Sequence, residues 1–376
     1  MNQTPLPQKT HTPQEQPPKN RKQSPDLTYP VLILTVAVTV MISILFVLLL
    51  FRTPNVSPSD DPKESTSGQV SRPPDSELSN PVTYPSAPSR NDYLLSGNGE
   101  AIDPDSISAS SAILISLSDY SVKASLSPDE RIYPASMTKI MTLIVACENI
   151  KDASVLLTID QTLYDYCTKA EATTLVATSQ NYPIANDSFA ATDMLYAVAT
   201  VSAADACLAL ANHIAGSEEA FVELMNEKCT ELGLTGTHFA NCTGLDDDAN
   251  YSTVREMAII LAYALDNPFC KDALTTFTRT AVGTYNADVP FPYNRYLTNT
   301  LAGRLKSAGY EEKLPQKLKS GMTILGGKTG YTTAGKYCLA SFAKDAEGNL
   351  YITVTAAGER PATSITDIDA IYKAHP

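Results

Sequence analysis

Ser136 and Lys139 are the first residues in this sequence that could carry out chemistry together. A spacing of three along a helix places two side chains on one face, so the lysine amine can reach the serine hydroxyl. An amine held partly neutral by burial or by nearby cations can take the hydroxyl proton and activate a weak nucleophile. A helix that begins near Ser136 would also stabilise negative charge developing there. The pair predicts nucleophilic serine chemistry, although Ser-x-x-Lys alone occurs about once by chance in a chain of this size.

A second candidate feature is Lys328-Thr329-Gly330, which follows a short apolar run and two glycines. Glycine in a strand often marks the close approach of another backbone, and an extended peptide can pair with such an edge. Lys328 and Thr329 would then hold the anionic end of that peptide. The alternative interpretation is a lysine on the surface of an edge strand.

Ser202 is the third candidate, because it follows a break in a helical stretch and precedes Ala203, Ala204 and Asp205. Its hydroxyl either caps the helix that begins there or relays a proton near Lys139. The sequence contains no Gly-x-Ser-x-Gly elbow and no His, Asp and Glu spacing typical of zinc ligands. The candidate chemistry therefore involves serine and lysine without a metal.

Composition argues against nucleic acid as a partner and indicates no metal-binding or redox role for the cysteines. The formal net charge of -13 argues against nucleic acid, because phosphate binding needs a basic surface. The seven cysteines are scattered, with no Cys-x-x-Cys pair. We expect Cys147 and Cys207 to be small buried hydrophobes in helices, and a disulfide between Cys229 and Cys242 is one further interpretation.

An apolar stretch without charge, residues 31–51, is predicted to span a membrane. As a helix it would extend about 31 Å, which is close to the thickness of the hydrocarbon core of a bilayer. A cleaved signal peptide would have a shorter apolar region followed by a small-x-small site. Because basic residues at Lys9, Lys19, Arg21 and Lys22 precede the stretch, we expect the N-terminus in the cytoplasm and the remainder outside.

The chain is therefore expected to have four parts. Residues 1–29 are predicted to be a disordered cytoplasmic segment and residues 30–52 a transmembrane anchor. Residues 53–100 are rich in proline and serine, which is typical of a flexible stalk, here extracellular. Residues 101–376 form the globular part, for which no internal repeat is evident.

Hydrophobic patterning predicts strands at both ends of the globular part and helices between them. The predicted strands are residues 111–117, 123–126, 337–342 and 350–356. The predicted helices are residues 136–150, two short stretches within 192–214 broken near 200–202, residues 217–232, 252–265 and 365–374. We expect one α/β domain whose sheet is completed by the C-terminal strands.

Taken together, the motifs resemble those of penicillin-binding proteins of the D-alanyl-D-alanine carboxypeptidase family, from about residue 110 to residue 358. Residues 134–139 resemble the family's nucleophile motif, and residues 328–332 resemble its third motif. The stretches typical of the family that lie between them are residues 211–217, 237–241, 244–245 and 251–253. Their order and spacing agree with the family pattern.

This resemblance implies the α/β fold shared with serine β-lactamases, an antiparallel sheet packed by helices, here after an N-terminal transmembrane helix. It implies that Ser136 attacks the carbonyl between the two terminal D-alanines of a peptidoglycan stem peptide. Lys139 would be the base, and Ser202 would help to pass the proton to the leaving D-alanine. β-Lactams would acylate Ser136 as substrate mimics, and no cofactor or metal is implied.

The resemblance also implies how the substrate is held. The backbone N–H groups of Ser136 and Tyr331 would form an oxyanion hole, which is typically worth a few kcal/mol. Lys328 and Thr329, in the motif completed by Gly330, would bind the terminal carboxylate. The resulting expectation is a membrane-anchored serine D-Ala-D-Ala carboxypeptidase with its catalytic domain outside the cell.

Two features depart from the family pattern. Ala204 stands where the middle motif usually has an asparagine, whose amide would orient the substrate carbonyl and Lys139. The chain ends soon after the helix predicted at residues 365–374, where many relatives have a second domain with a membrane helix. We therefore expect residues 31–51 to supply the anchor.

The alternatives are other proteins with the same fold. A catalytically weakened peptidoglycan-binding or penicillin-binding protein would explain Ala204, although Ser136, Lys139 and Lys328 are intact. A class A β-lactamase would need a Glu-x-x-Leu-Asn motif, which we do not find between the second and third motifs. Transfer of the acyl group to an amine, as in a transpeptidase, is excluded by no residue.

Overall fold

The computed structural model describes residue 95 and residues 97–176, 186–285 and 291–376. All of them belong to one structural unit, residues 73–376. The predicted cytoplasmic segment and transmembrane anchor, and all but the last few residues of the predicted stalk, lie outside the described residues. None of the helices in the described ranges is both long enough and apolar enough to cross a membrane.

Two sheets and a set of helices make up this part of the chain. The described strands are β1 (Glu100–Ala101), β2 (Ser111–Ser116), β3 (Val122–Leu126), β4 (Leu156–Ile159), β5 (Asp187–Ala190), β6 (Thr278–Tyr285), β7 (Phe291–Thr298), β8 (Gln316–Lys317), β9 (Thr323–Thr332), β10 (Lys336–Lys344) and β11 (Leu350–Gly358). The described α-helices are α1 (Lys139–Asn149), α2 (Gln161–Lys169), α3 (Ala191–Thr200), α4 (Ala204–Ala215), α5 (Glu218–Leu232), α6 (Val254–Asp266), α7 (Pro268–Thr275), α8 (Thr300–Ser307) and α9 (Thr363–Ala374).

The larger sheet has the strand order β1-β3-β2-β11-β10-β9-β8, and every pair except β1–β3 is antiparallel. β2 is buried along its whole length because helices cover both faces of the sheet, which explains the apolar run at residues 112–115 between its two terminal serines. Alternate residues of β2 enter two different cores, with Ile113 on one face and Leu114 on the other. The predicted hairpin of β2 with β3 and the completion of the sheet by β10 and β11 are confirmed.

A second, four-stranded sheet of order β4-β5-β6-β7 was not predicted. Helices separate β4, β5 and the paired strands β6 and β7 in sequence, and part of the sheet's surface faces solvent. In β6, Ala281 is fully buried whereas Val282 is 51% exposed. The expectation of one sheet was therefore incomplete, since β4 and β5 have only four residues each and the longer β6 is partly exposed.

The predicted helices are present, although two of them begin later than expected, and the helices α2, α7 and α8 were not predicted. The break near residues 200–202 is confirmed, with α3 ending at Thr200 and α4 beginning at Ala204. The helix predicted from residue 252 begins at Val254, because the Thr253 hydroxyl accepts a hydrogen bond of 3.1 Å from the Glu256 backbone N–H and so caps it. The helix predicted from residue 136 begins as a 3₁₀ turn, Ala135–Thr138, before α1.

Candidate active site

The nucleophile candidate, Ser136, lies in the 3₁₀ turn Ala135–Thr138 at the entrance to α1. The preceding residue, Ala135, has a φ of 50°, which is unusual for a residue with a side chain. Such backbone conformations cost free energy and persist where surrounding structure imposes them, often at active sites. The turn is packed against β9, the strand that carries the Lys328 motif.

Lys139 is the first residue of α1 and is only 3% exposed. Its Nζ donates a hydrogen bond of 3.1 Å to Ser136 Oγ and another of 2.5 Å to the carbonyl oxygen of Thr243. The predicted pairing of serine and lysine is thus present in the structure. The Thr243 carbonyl aims the amine at the hydroxyl, a task that the sequence did not assign to any residue.

The Thr243 carbonyl is itself held in place by a turn built on Asn241. The side-chain oxygen of Asn241 accepts hydrogen bonds from the backbone N–H of Thr243 and of Gly244, and its amide donates to the carbonyl of Leu245. Residues 237–241 and 244–245 were singled out as typical of the family, but only the folded chain shows that this turn reaches Lys139.

Gly244 explains why the turn can come so close to the nucleophile. Its φ is 75°, and a Cβ at this position would lie 2.0 Å from the carbonyl oxygen of Ala135. A side chain could not fit without moving the backbone on either side. The glycine therefore allows direct contact between the Thr243 turn and the turn that carries Ser136.

Lys328 extends from β9 into the interior and is 1% exposed, so the interpretation as a surface lysine is wrong. Its Nζ donates hydrogen bonds of 2.9 Å to Ser202 Oγ and of 2.9 Å to the carbonyl oxygen of Thr329. Burial, followed by the positive charges of Lys139 and Arg304, holds the pKa of Lys328 well below its ordinary value. An anion bound here would favour the protonated, positively charged form of Lys328.

Ser202 lies between α3 and α4 with a φ of 65°. It does not cap α4, because the N-cap position is Ala203 and no side chain caps the helix. The interpretation of Ser202 as a helix cap is therefore wrong. Its hydroxyl instead meets Lys328, so the second and third motifs are joined directly.

Ala204, the departure from the family pattern, is the first residue of α4 and is 1% exposed. Its N–H donates to the carbonyl of Thr173, and the neighbouring Asp205 carboxylate accepts hydrogen bonds from the N–H groups of Leu175 and Val176. Burial raises the pKa of Asp205, although these hydrogen bonds act in the opposite direction. The side chain at position 204 is enclosed by packed protein.

The remaining residues of the third motif line up along β9. Thr329 is 5% exposed and its hydroxyl lies 2.7 Å from that of Thr300 at the start of α8. Gly330 faces the nucleophile turn, and a Cβ there would lie 3.2 Å from the backbone nitrogen of Ser136. Tyr331 is 55% exposed, with its ring 4.5 Å from that of Tyr337.

Arg304 on α8 is a buried cation that the sequence did not bring to notice. It donates to the carbonyl oxygens of Gly330 at 2.7 Å and Cys338 at 2.9 Å, and to the hydroxyl of Ser364 at 2.9 Å. Burial lowers its pKa to about 10, so it is positively charged at neutral pH. No motif could have revealed it, because its contacts come from three separate segments.

The cysteines form neither a disulfide nor a metal site in the part of the chain that the structure describes. All seven are free and buried, including Cys229 and Cys242, so the disulfide interpretation is wrong. Cys147 and Cys207 are buried in helices as expected. Within the described ranges, no group of three or more His, Cys, Asp or Glu side chains could hold a metal ion.

The site as a whole contains a serine hydroxyl beside a buried amine, a second hydroxyl beside a second amine, and a strand edge next to both. This set can attack a carbonyl, accept and return a proton, and hold an anionic group. The sequence profile of the D-alanyl-D-alanine carboxypeptidase family matches residues 98–358, which include every one of these groups.

Similar individual proteins are also known. The D-alanyl-D-alanine carboxypeptidase DacF of Bacillus subtilis is 33% identical over 282 residues, which cover 71% of this chain and 64% of DacF. DacA of Haemophilus influenzae is 30% identical over 261 residues, which cover 67% of this chain and 58% of DacA. The alignments therefore span about three fifths of each relative's length.

Among solved structures, that of the Streptomyces K15 DD-transpeptidase is similar, with a TM-score of 0.60 and 25% sequence identity. The match covers 71% of this chain and 97% of that one. The mixed α/β fold, with its antiparallel sheet packed by helices, is thus the fold that the motifs predicted.

Proposed function

The chain belongs to the D-alanyl-D-alanine carboxypeptidase family, and from this premise we propose that it removes the terminal D-alanine from peptidoglycan stem peptides through an acyl-enzyme on Ser136. One observation carries the proposal above the others. The buried Nζ of Lys139 lies 3.1 Å from Ser136 Oγ and is held there by the carbonyl of Thr243. This is the arrangement that a serine nucleophile and its proton acceptor require.

Acylation begins when Ser136 Oγ attacks the carbonyl carbon of the penultimate D-alanine and the hydroxyl proton passes to the amine of Lys139. The negative charge that forms on the carbonyl oxygen is stabilised by the backbone N–H groups of Ser136 and Tyr331. When the C–N bond breaks, the leaving D-alanine amine needs a proton. In the proposed step that proton comes from Lys139 and passes through the hydroxyl of Ser202, which accepts a hydrogen bond from Lys328.

Binding of the substrate relies on its terminal carboxylate. Lys328 and Thr329 lie next to each other on β9, and both are buried. A carboxylate would receive hydrogen bonds from both side chains and would relieve the mutual repulsion of Lys328, Lys139 and Arg304. Water then hydrolyses the acyl-enzyme, and the shortened peptide is released.

The proposal includes a location. The apolar stretch at residues 31–51 would anchor the protein in the cell membrane with its N-terminus in the cytoplasm. Residues 53–100 would then act as a stalk that carries the domain at residues 101–376 toward the cell wall. Deletion of most of the stalk should lower activity on cell-wall sacculi but leave activity on a soluble peptide unchanged, and equal activity on both would contradict this role.

The direct test is to incubate the full-length chain, in detergent, with benzylpenicillin and to measure its intact mass. We expect one covalent adduct, which is lost in Ser136→Ala. Ser217→Ala is the matched control, because that serine caps α5 and takes no part in the proposed site. The proposal fails if neither an adduct nor release of D-alanine from a D-Ala-D-Ala peptide is observed.

A second candidate function is transfer of the acyl group to an amine, which is favoured by the similarity to a structure described as a DD-transpeptidase. An amino-acid acceptor such as glycylglycine distinguishes the two. If hydrolysis dominates, the released D-alanine and the shortened peptide accumulate in equal amounts. A product that carries the acceptor would show that transfer competes with hydrolysis.

Two other outcomes of the penicillin experiment would indicate the remaining alternatives. Rapid turnover of penicillin would indicate a β-lactamase. A penicillin adduct without turnover of peptide would indicate a catalytically weakened penicillin-binding protein.

A further inference from the structure

Arg304 has no carboxylate partner among the residues that the structure describes, although it is only 8% exposed. Its guanidinium is satisfied by neutral acceptors, namely the carbonyls of Gly330 and Cys338 and the hydroxyl of Ser364. The removal of a charged group from water costs several kcal/mol when no opposite charge compensates for it. A cation retained under these conditions calls for an explanation beyond packing.

Two of its acceptors occupy one position of the sheet. Gly330 of β9 and Cys338 of β10 are paired residues, so the guanidinium holds both carbonyls of a single cross-strand pair. The planar fork of arginine can do this with two parallel hydrogen bonds, whereas an ammonium group cannot. The orientation of the Gly330 carbonyl is therefore determined by Arg304 as well as by the sheet.

The Gly330 carbonyl and the Tyr331 N–H belong to the same peptide unit. A trans peptide is planar, so the Tyr331 N–H points away from the direction of the Gly330 carbonyl. The carbonyl points to Arg304, and Gly330 packs against the turn at Ser136. Whatever fixes the orientation of the Gly330 carbonyl therefore also fixes the orientation of the Tyr331 N–H, which would complete the oxyanion hole.

We propose that Arg304 is a positioning residue, which orients and polarises the Gly330–Tyr331 peptide so that the Tyr331 N–H binds the oxyanion. The inference rests on the proposed function, since the oxyanion exists only in that reaction. A hydrogen bond from a charged donor is stronger than one from a neutral donor and polarises the group that accepts it. The charge of Arg304 therefore makes the N–H on the opposite side of the peptide a better donor.

The effect should fall on the rate and not on binding. The oxyanion forms only in the chemical steps, whereas the terminal carboxylate is held by Lys328 and Thr329 as soon as the substrate binds, before the oxyanion forms. Loss of one oxyanion-hole donor typically lowers kcat by about 10² to 10³. Because Arg304→Met misaligns the donor without removing it, we expect kcat to fall by about tenfold to a hundredfold with little change in KM.

The matched control is Ser364→Ala, which removes the third acceptor of Arg304 and leaves the contact with Gly330 in place. Ser364 is also buried, so this variant reproduces the loss of a buried polar contact. We expect its kcat to remain within about twofold of the wild type. Arg304→Lys retains the charge without the fork and should give a smaller loss of kcat than Arg304→Met.

A measurement without substrate separates this inference from the proposed function. In the full-length chain with ¹⁵N-labelled tyrosine, the Tyr331 amide proton should move upfield in Arg304→Met and Arg304→Lys but not in Ser364→Ala. An unchanged Tyr331 signal in both Arg304 variants overturns the inference even if the wild type is active. An equal loss of kcat in Ser364→Ala, or a loss expressed only in KM, also overturns it.

The remaining outcomes are also decisive. If the wild type forms no adduct with penicillin, the proposed function fails, whereas the Tyr331 signal still decides whether Arg304 polarises the peptide. If Arg304→Met does not fold, Arg304→Lys provides the same amide measurement. The change in its kcat can likewise be compared with the change in its KM.

Discussion

Lys328 Nζ donates a hydrogen bond of 2.9 Å to Ser202 Oγ, although the two residues are 126 positions apart. The contact joins the edge of β9 to the break between α3 and α4. Ser202 can adopt its left-handed backbone at that break because it belongs to neither helix. Both amines of the site are thus paired with a serine hydroxyl, Lys139 with Ser136 and Lys328 with Ser202.

The lowered pKa of Lys328 predicts a dependence of stability on pH. Burial, then Lys139, then Arg304 favour the neutral amine in the folded state, while the nearby Cys207 acts in the opposite direction. The folded protein therefore binds fewer protons than the unfolded chain between this lowered pKa and the ordinary value of about 10.4. The contribution of Lys328 to the free energy of unfolding should therefore increase as the pH rises across this window. This contribution is lost as the pH falls through the lowered pKa.

Urea unfolding at a series of pH values between about 7 and about 10 measures this slope, and Lys328→Met should reduce it. Lys228→Met is the control. Burial alone would lower the pKa of Lys228, but hydrogen bonds to Glu231 and Glu148 raise it above its ordinary value. Its contribution is therefore lost only at higher pH, and the slope should not change. An equal slope in the wild type and Lys328→Met would contradict the prediction.

Substitution of Lys139 should separate its charge from its role as proton acceptor. Lys139→Met should slow acylation by penicillin by about 10² to 10⁴. Lys139→Arg retains a cation able to donate to the carbonyl of Thr243, but arginine does not lose its proton near neutral pH. We expect penicillin to acylate both variants slowly, which a time course of intact-mass measurements would show. Acylation of Lys139→Arg at the wild-type rate would show that a positive charge suffices there.

Gly244 and Gly216 allow a paired test of the close approach behind the nucleophile. Both have a positive φ, but a Cβ on Gly216 would meet nothing within 4 Å, whereas one on Gly244 would overlap the carbonyl of Ala135. Gly216→Ala therefore measures only the backbone preference, about 1 kcal/mol. Gly244→Ala should cost about 1–3 kcal/mol more and should also slow acylation. Equal losses in urea unfolding would mean that the approach is looser than the structure indicates.

The effect of Ala204→Asn tests whether the departure in the middle motif impairs the site. Thr243 already orients Lys139, and the side chain at position 204 is enclosed. We therefore expect the acylation rate to change by less than about tenfold and the protein to lose about 1–3 kcal/mol of stability from overpacking. A large gain in rate with D-Ala-D-Ala peptide would instead show that the natural site lacks a working amide.

Local patterning was enough to predict most elements of the large sheet and most helices. Helical spacing identified α1 and the two helices on either side of Ser202, because their buried faces are long and periodic. The sheet of β4, β5, β6 and β7 is not predicted by this patterning, since β4 and β5 are short and β6 is partly exposed. Ser202 was placed beside Lys139 as a relay, whereas its hydrogen bond in the structure is to Lys328.

By itself, the sequence identified the residues that could carry out chemistry: a serine with a lysine one helical turn away, and a lysine between glycines on a strand. Those are local patterns, and local spacing dictates which side chains share a face. The tertiary structure alone decided what orients those groups. The carbonyl of Thr243 and the guanidinium of Arg304 reach the site from distant segments, and such contacts depend on how helices and strands pack and not on any short pattern.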